Sequence, residues 1–200
     1  MEIVQIVNHV LTSNTYVISE AKSNGVWLVD IGDYDGVRNI LNANQKIIGL
    51  FITHPHFDHI YGINKLIFDF PDCKVYASDH GKKGLYSEKL NLSFYHDTSI
   101  IFKGEEVIVL HETDRIELIE NTFLEVLETP GHDWSCLTFK VGKYLFTGDS
   151  YIPNVKVVTK LKGGDRVANT KSLQKIINNI SEDTIVCPGH GSMFQNNRYL

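Results

Sequence analysis

The sequence predicts a mixed α/β chain, and three observations carry that prediction. Short runs rich in β-branched, aromatic and aliphatic residues recur from one end to the other, bounded by Gly, Pro, Asn or Asp. Between some of them the apolar residues switch to helical spacing. Aspartate or histidine follows several of the strand-like runs, at Asp30, His54, His132, Asp149 and His190. Ligands on the loops at one edge of a rigid sheet scaffold are where binding and catalysis usually sit.

Two hundred residues are enough for one domain with a sizeable core, taken here as residues 1–200. An apolar fraction of 42% and a charged fraction of 22% are those of an ordinary globular protein. The net charge of -5 argues against a nucleic-acid partner and leaves a small-molecule substrate as the expectation. No apolar run approaches the roughly 20 residues that span a bilayer, so no membrane partner is expected. Met1-Glu2-Ile3-Val4-Gln5-Ile6 has neither a basic region nor a small-residue cleavage site. Cys73, Cys136 and Cys187 are odd in number and widely spaced, which suits a reducing cytoplasm better than a disulfide framework. No feature sets the oligomeric state.

The elements follow in order. Ile3, Val4, Ile6 and Val7 mark a first strand and Thr15 to Ser19 a second. Asn24-Gly25 has the composition of a tight turn into Val26 to Val29. Asp33 is the expected cap of a short helix carrying Val37, Ile40 and Leu41. Ile47 to Ile52 reads as a buried strand. Ile60, Ile63, Ile67 and Phe70 place a helix over residues 59–70, stopped by Pro71-Asp72. Val75 to Ala77 is a strand, and residues 79–104 a partly helical surface excursion. Glu105 to His111, Arg115 to Glu120 and Phe123 to Leu127 are short strands. Leu137 to Val141 and Tyr144 to Thr147 pair as a hairpin across Gly142-Lys143. Lys160 to Gly164 is a loop. A helix runs from Lys171 through Leu173, Ile176, Ile177 and Ile180, with Thr170 as its cap. Thr184 to Cys187 is the last strand.

The stretch Thr53-His54-Pro55-His56-Phe57-Asp58-His59 is the densest in chemistry. Imidazole and carboxylate are ligands for first-row metals, and packing alone rarely gathers so many. Pro55 biases His54 toward an extended backbone, where His54 and His56 point to one side. Asp58 and His59 lie at the turn into the helix and can face the same point. The residues alone therefore place a metal centre at the end of a strand.

With those pieces in hand the chain resembles the metallo-β-lactamase fold superfamily of metal-dependent hydrolases. The resemblance is carried by Asp30 in Leu28-Val29-Asp30-Ile31-Gly32, by His54-Pro55-His56-Phe57-Asp58-His59, by His132 in Thr129-Pro130-Gly131-His132, by Asp149 in Phe146-Thr147-Gly148-Asp149, and by His190 in Pro188-Gly189-His190-Gly191. These pieces come in the family's order over nearly the whole chain. Within the superfamily the chain is most similar to the glyoxalase II-like branch. The resemblance implies a four-layer αββα sandwich with its site at one edge of the two central sheets. It also implies two divalent metal ions, zinc suiting the imidazole-rich set and iron or manganese standing as alternatives. His54, His56 and His132 would bind the first metal, and Asp58, His59 and His190 the second. Asp149 would bridge them. Asp30 would orient a ligand by a hydrogen bond. A metal-bound hydroxide would hydrolyse a small ester or thioester, with Asp58 accepting a proton or orienting the nucleophile.

Departures from relatives narrow the expectation. β-Lactamases of the fold are expected to carry a cysteine at the position of Asp149 and to be exported, which weighs against lactam hydrolysis. Flavodiiron proteins have a glutamate at the position of His56. Glyoxalase II enzymes continue into a helical domain, and here ten residues follow His190, so their glutathione-binding residues have no place to map. Asp133-Trp134-Ser135-Cys136 is an unusual continuation of the His132 segment and reshapes the pocket beside it. The competing function is a mononuclear iron dioxygenase similar to persulfide dioxygenases, using His54, His132 and Asp149. A tRNA-maturing nuclease is disfavoured by the charge, and a non-catalytic module by the intact ligand set. His9, His80, His96 and His111 receive no role. Cys136 and Cys187 are expected to be packing residues, Lys156, Lys160, Lys162 and Arg166 a solvated basic loop, and the aromatics of residues 86–102 packing for their loop. Loops 79–104 and 151–170 are expected to shape the pocket.

Overall fold

Strand-forming side chains cluster in the first part of the chain, and they build a six-stranded sheet there. In the computed structural model of the protein, which describes residues 1–21 and 23–195, its strands are β1 (Glu2–Val7), β2 (Asn14–Ser19), β3 (Gly25–Val29), β4 (Lys46–Phe51), β5 (Lys74–Ala77) and β6 (Val107–Val109), side by side in that order. The pairs β1/β2 and β2/β3 are antiparallel, and β3 through β6 run parallel. Parallel neighbours need a crossover, and helices supply the first two. These are α1 (Tyr34–Ile40), then α2 (Phe57–Ile60) with α3 (Ile63–Asp69). Helix α4 (Asp79–Leu85) follows β5, and Ser78 caps it by accepting from Gly81 N at 3.0 Å.

The second sheet also has six strands, in the order β12 (Phe194–Gln195), β11 (Ile185–Pro188), β10 (Tyr144–Gly148), β9 (Leu137–Val141), β8 (Thr122–Glu128), β7 (Arg115–Ile119). Only β10 and β11 are parallel, and α5 (Arg166–Asn178) lies between them in the chain. The sheets pack face to face over Tyr16, Trp27, Phe51, Tyr76, Phe139 and Phe146. Trp27, Phe51 and Tyr76 stack at centroid separations of 5.4 and 4.8 Å. Trp27 Nε1 donates to Leu118 O of the opposite sheet at 2.9 Å. The outer face of the first sheet, with Val26, Leu28, Leu50 and Val75, packs on Val37, Ile60, Ile63 and Leu66 of the helices. Side chains alternate along a strand, so Leu145 faces away from Phe146 and the layer between the sheets, and both Leu145 and Ile176 of α5 are fully buried. The expected αββα sandwich is present.

Local expectations differ from the structure at several points. Gly25, expected in the turn before β3, already belongs to that strand. The helix expected over residues 59–70 breaks at Tyr61-Gly62. Gly62 N donates to Ile31 O at 3.1 Å, and a Cβ there would come within 2.3 Å of Gly32 O, so docking onto the loop after β3 ends the helix. Thr170 lies inside α5. The cap is Asp165, whose Oδ1 accepts from Val167 N and Ala168 N. Asp33 holds the N-cap position of α1 but makes no cap bond. Its carboxylate accepts from His9 N and the Tyr61 hydroxyl, each at 2.6 Å.

One regularity places the site. Asp30 follows β3, His54 follows β4, His132 follows β8, Asp149 follows β10 and His190 follows β11. Strands β3 and β4 are parallel, as are β10 and β11, and β8 runs with β10 because each is antiparallel to β9. The carboxyl ends of all five strands therefore open onto one edge, where α/β sheets gather their ligands.

Candidate metal centre

The seven residues expected to hold metal meet at that edge. Imidazole nitrogens of His54, His56 and His132 lie within 4.8 Å of one another, and so do the donor atoms of Asp58, His59 and His190. Asp149 lies between the two groups. Its Oδ2 is 3.5 Å from His132 Nε2 and 3.5 Å from His190 Nε2, and its Oδ1 is 3.5 Å from His59 Nε2. Gly189 permits this, since a Cβ there would stand 2.1 Å from Asp149 Oδ1. His54 Nε2, His56 Nε2, His59 Nε2 and Asp149 Oδ1 are buried without a hydrogen-bond partner among the described residues. Buried polar atoms are seldom left so. A cluster of them on borderline-soft nitrogen and anionic oxygen is the donor set a divalent cation fits.

Four of the five histidines have a partner for the outer ring nitrogen, while His56 turns Nδ1 inward, 3.0 Å from His132 Nε2, and leaves Nε2 toward Asp133. His59 Nδ1 donates to Asp30 Oδ2 at 2.9 Å. Thr53 N and Oγ1 donate to the same carboxylate at 2.8 and 2.7 Å. The Thr53 hydroxyl has one proton, and Asp30 takes it, so its oxygen accepts from His54 Nδ1 at 3.1 Å. Asp30 thus orients His59 directly and His54 through Thr53. It sits in left-handed backbone, φ 56°, a costly conformation for a residue other than glycine. Its backbone N donates to Phe51 O at 2.9 Å, which ties the bend to β4. His132 Nδ1 donates to Val158 O at 2.8 Å, and His190 Nδ1 to Leu11 O at 3.0 Å. In His54, His59, His132 and His190 the Nε2 atom is left facing the centre.

Charge divides the site. Burial first, then the neighbouring imidazoles, holds His54 well below the ordinary histidine range and takes His56 down to about 4. Burial pulls His59 the same way, but Asp58, Asp149 and Asp30 outweigh it and push the group up to about 9. Against burial, Asp149 and Asp58 push His190 up to about 10. Those histidines in turn hold both carboxyls below their usual range despite burial.

Several supporting residues carry no motif. Asn14 Nδ2 donates to Pro188 O and Gly191 O at 2.9 and 2.8 Å, and the Tyr16 hydroxyl to Pro188 O at 2.7 Å, so β2 clamps the His190 turn. Ser13 Oγ donates to Asp58 O at 2.7 Å. Asp133 is buried beside His132, and its Oδ1 accepts from Ser135 N and Oγ. Its Oδ2 faces the unpartnered His56 Nε2 at 3.9 Å. Buried polar residues in expected strands and loops were the only sequence signal for these. The residues given no role stay outside the centre: His96 stacks on Phe57 at 3.6 Å and His80 lies 5.7 Å from exposed Trp134. Cys136 and Cys187 are buried, and burial pushes both thiols up. Phe102 packs its loop into the core as expected, whereas Phe94 and Tyr95 are exposed. No helix among the described residues is long and apolar enough to cross a membrane.

Known proteins share this fold. A hydroxyacylglutathione hydrolase of Cronobacter sakazakii is 28% identical over 174 residues, covering 86% of this chain. The chain spans 60% of that relative's length. The crystal structure of BLEG-1, a B3 metallo-beta-lactamase, superposes with a TM-score of 0.87 at 25% identity, covering 98% of this chain and 95% of that one. TTHA1623, crystallised in a di-iron-bound form, matches with a TM-score of 0.80 at 23% identity, covering 98% of this chain and 100% of that one. Residues 10–190 match the metallo-beta-lactamase superfamily, and the chain belongs to it.

Proposed function

We propose that the protein is a metal-dependent hydrolase of small esters or thioesters, with two divalent ions held at the edge of the sandwich. His54, His56 and His132 would hold one ion, Asp58, His59 and His190 the other, and Asp149 both. The observation that carries this is the convergence of seven donors around buried nitrogens and a carboxylate oxygen that have no protein partner. When bound, such ions polarise a carbonyl and lower the pKa of water toward neutrality. Water then adds across the acyl C–O or C–S bond, giving an acid and an alcohol or thiol. The chain's own part is to fix geometry and charge. Asp30, Thr53, Val158 O and Leu11 O set the imidazole tautomers, and the carboxylates of Asp58 and Asp149 balance the cationic charge. Asp58 Oδ2, 3.4 Å from His190 Nε2, is placed to accept a proton at the centre. The imidazole-rich set suits zinc, with iron and manganese as alternatives.

Metal analysis with a substrate panel tests the reading. Two metals per chain and hydrolysis of acyl thioesters or esters, without oxygen uptake, support it. One iron per chain with oxygen uptake on glutathione persulfide would replace it with the dioxygenase, and turnover confined to β-lactams would replace the substrate class.

A further inference from the structure

The centre opens into a cleft of about 520 Å³ whose floor includes His132, Asp149 and His190. Its walls come from the segment after β10 and the segment after His190. Both are largely apolar, with Ile152, Val155, Val157, Met193 and Phe194 among the lining residues. Val155 is 57% exposed, Met193 36% and Phe194 41%, so these side chains are not spent on the core. Beyond the proposed metal ligands, Lys156 is the one charged side chain in the lining among the described residues. A second cleft, of about 260 Å³, lies beside Pro55 and Asp133 and differs in kind. It carries His80, Lys83 and Lys162 together with Trp134. The apolar lining is therefore a property of one side of the centre.

A pocket of this size, lined mainly by apolar side chains with Asn154, Lys156 and Ser192 as the polar members of its walls, takes a ligand of mostly apolar character. A peptide-like thiol, with its carboxylates and amides, would meet few partners here and would lose its hydration. We infer that the substrate is an acyl ester or thioester whose non-polar chain or ring lies between residues 152–158 and 193–194, with its carbonyl at the centre. This rests on the hydrolase reading above and adds the substrate's character to it.

The test is a chain-length series. Metal-loaded protein is assayed with thioesters of one thiol bearing straight acyl chains from acetyl to octanoyl, and with acetyl thioesters of alkyl thiols over the same lengths. kcat/KM is expected to rise about two- to fourfold per methylene in one of the two series, the range for half to full burial of each group. Val155→Asp and Phe194→Ser are expected to flatten that rise. It is read as the ratio of longest to shortest substrate within each variant, so metal content and folding cancel. Binding of straight-chain alkyl hydroxamates, followed by calorimetry, should tighten by the same factor per methylene. Turnover with no dependence on length in either series would overturn the inference and leave the hydrolase intact. No turnover at any length, with hydroxamate binding still length-dependent, would overturn the hydrolase and keep the apolar site. Flat hydroxamate binding together with no turnover would remove both.

Discussion

The two ligand clusters are joined by a single carboxylate, yet they hold opposite charge states. Around His54, His56 and His132 there is no carboxylate closer than Asp149 and Asp133, and burial keeps the first two imidazoles neutral. Around His59 and His190, Asp58 and Asp149 stand within 3.5 Å and favour imidazolium. The same ligand type is thus presented in two forms. In one cluster His54 and His56 are held neutral, and His56 Nδ1 lies 3.0 Å from His132 Nε2, within hydrogen-bond reach. The other offers ion pairs in which a proton occupies the place of a cation. On the proposed reading, metal would enter the three-imidazole cluster without displacing protons from His54 and His56, whereas the mixed cluster would bind metal by proton exchange, its carboxylates then compensating the ion's charge.

The largest expected effect erases the distinction. Asp149→Ala removes the one group common to both clusters, and metal affinity should fall by more than about 100-fold for both ions, beyond what loss of an outer partner costs. Titration with a chromophoric chelator reads this, and loss at one site alone would show that Asp149 serves only that site. Next come Asp30→Ala and Thr53→Val. The first should weaken both clusters by about 10- to 100-fold, because Asp30 orients His59 and, through Thr53, His54. The second should weaken the three-imidazole cluster alone; equal loss at both from Thr53→Val would refute the relay. A third effect lies in pH. In metal-free protein His59 and His190 titrate near about 9 and about 10. Binding at the mixed cluster must therefore expel up to two protons, and affinity there should climb from pH 6 to 9 by about tenfold per proton per unit. His54 and His56, held neutral, should add no proton to that release. The sign for metal-free stability is opposite: the His59 and His190 ion pairs contribute fully below about pH 6.5, and that contribution fades as pH rises through their raised values. Smallest is Asp133→Asn, expected to cost about tenfold or less at the three-imidazole cluster, since Oδ2 stands 3.9 Å from His56 Nε2. A change in the imidazole N–H resonance of His56 would separate orientation from mere packing.

Much of this layout was legible in the residues. Strands reveal themselves by local composition, and the segments around residues 28, 50, 127, 146 and 187 each combined an apolar run with a nearby turn. That pattern put Asp30, His54, His132, Asp149 and His190 on strand ends before any pairing was known. What stayed hidden depends on partners distant in the chain. The break at Gly62 reflects Gly32, thirty residues earlier. The cap at Asp165 was passed over for Thr170 because the apolar repeat becomes evident only from Leu173. The clamps at Asn14, Tyr16 and Ser13 look like ordinary strand and loop residues until β11 is placed against them. Which nitrogen each histidine turns inward depends on backbone carbonyls of Leu11 and Val158, and no side-chain pattern encodes that.

The clamp from β2 onto the His190 turn also bears on assembly. Asn14 and Tyr16 reach across 174 and 172 residues to Pro188 O, and contacts that distant require nearly the whole chain to close into a loop. The place of His190 therefore depends on both sheets having met. An ion captured earlier would find His54, His56 and His59 but not the closing ligand. Metal held through His190 would thus report that the two ends of the sandwich have come together.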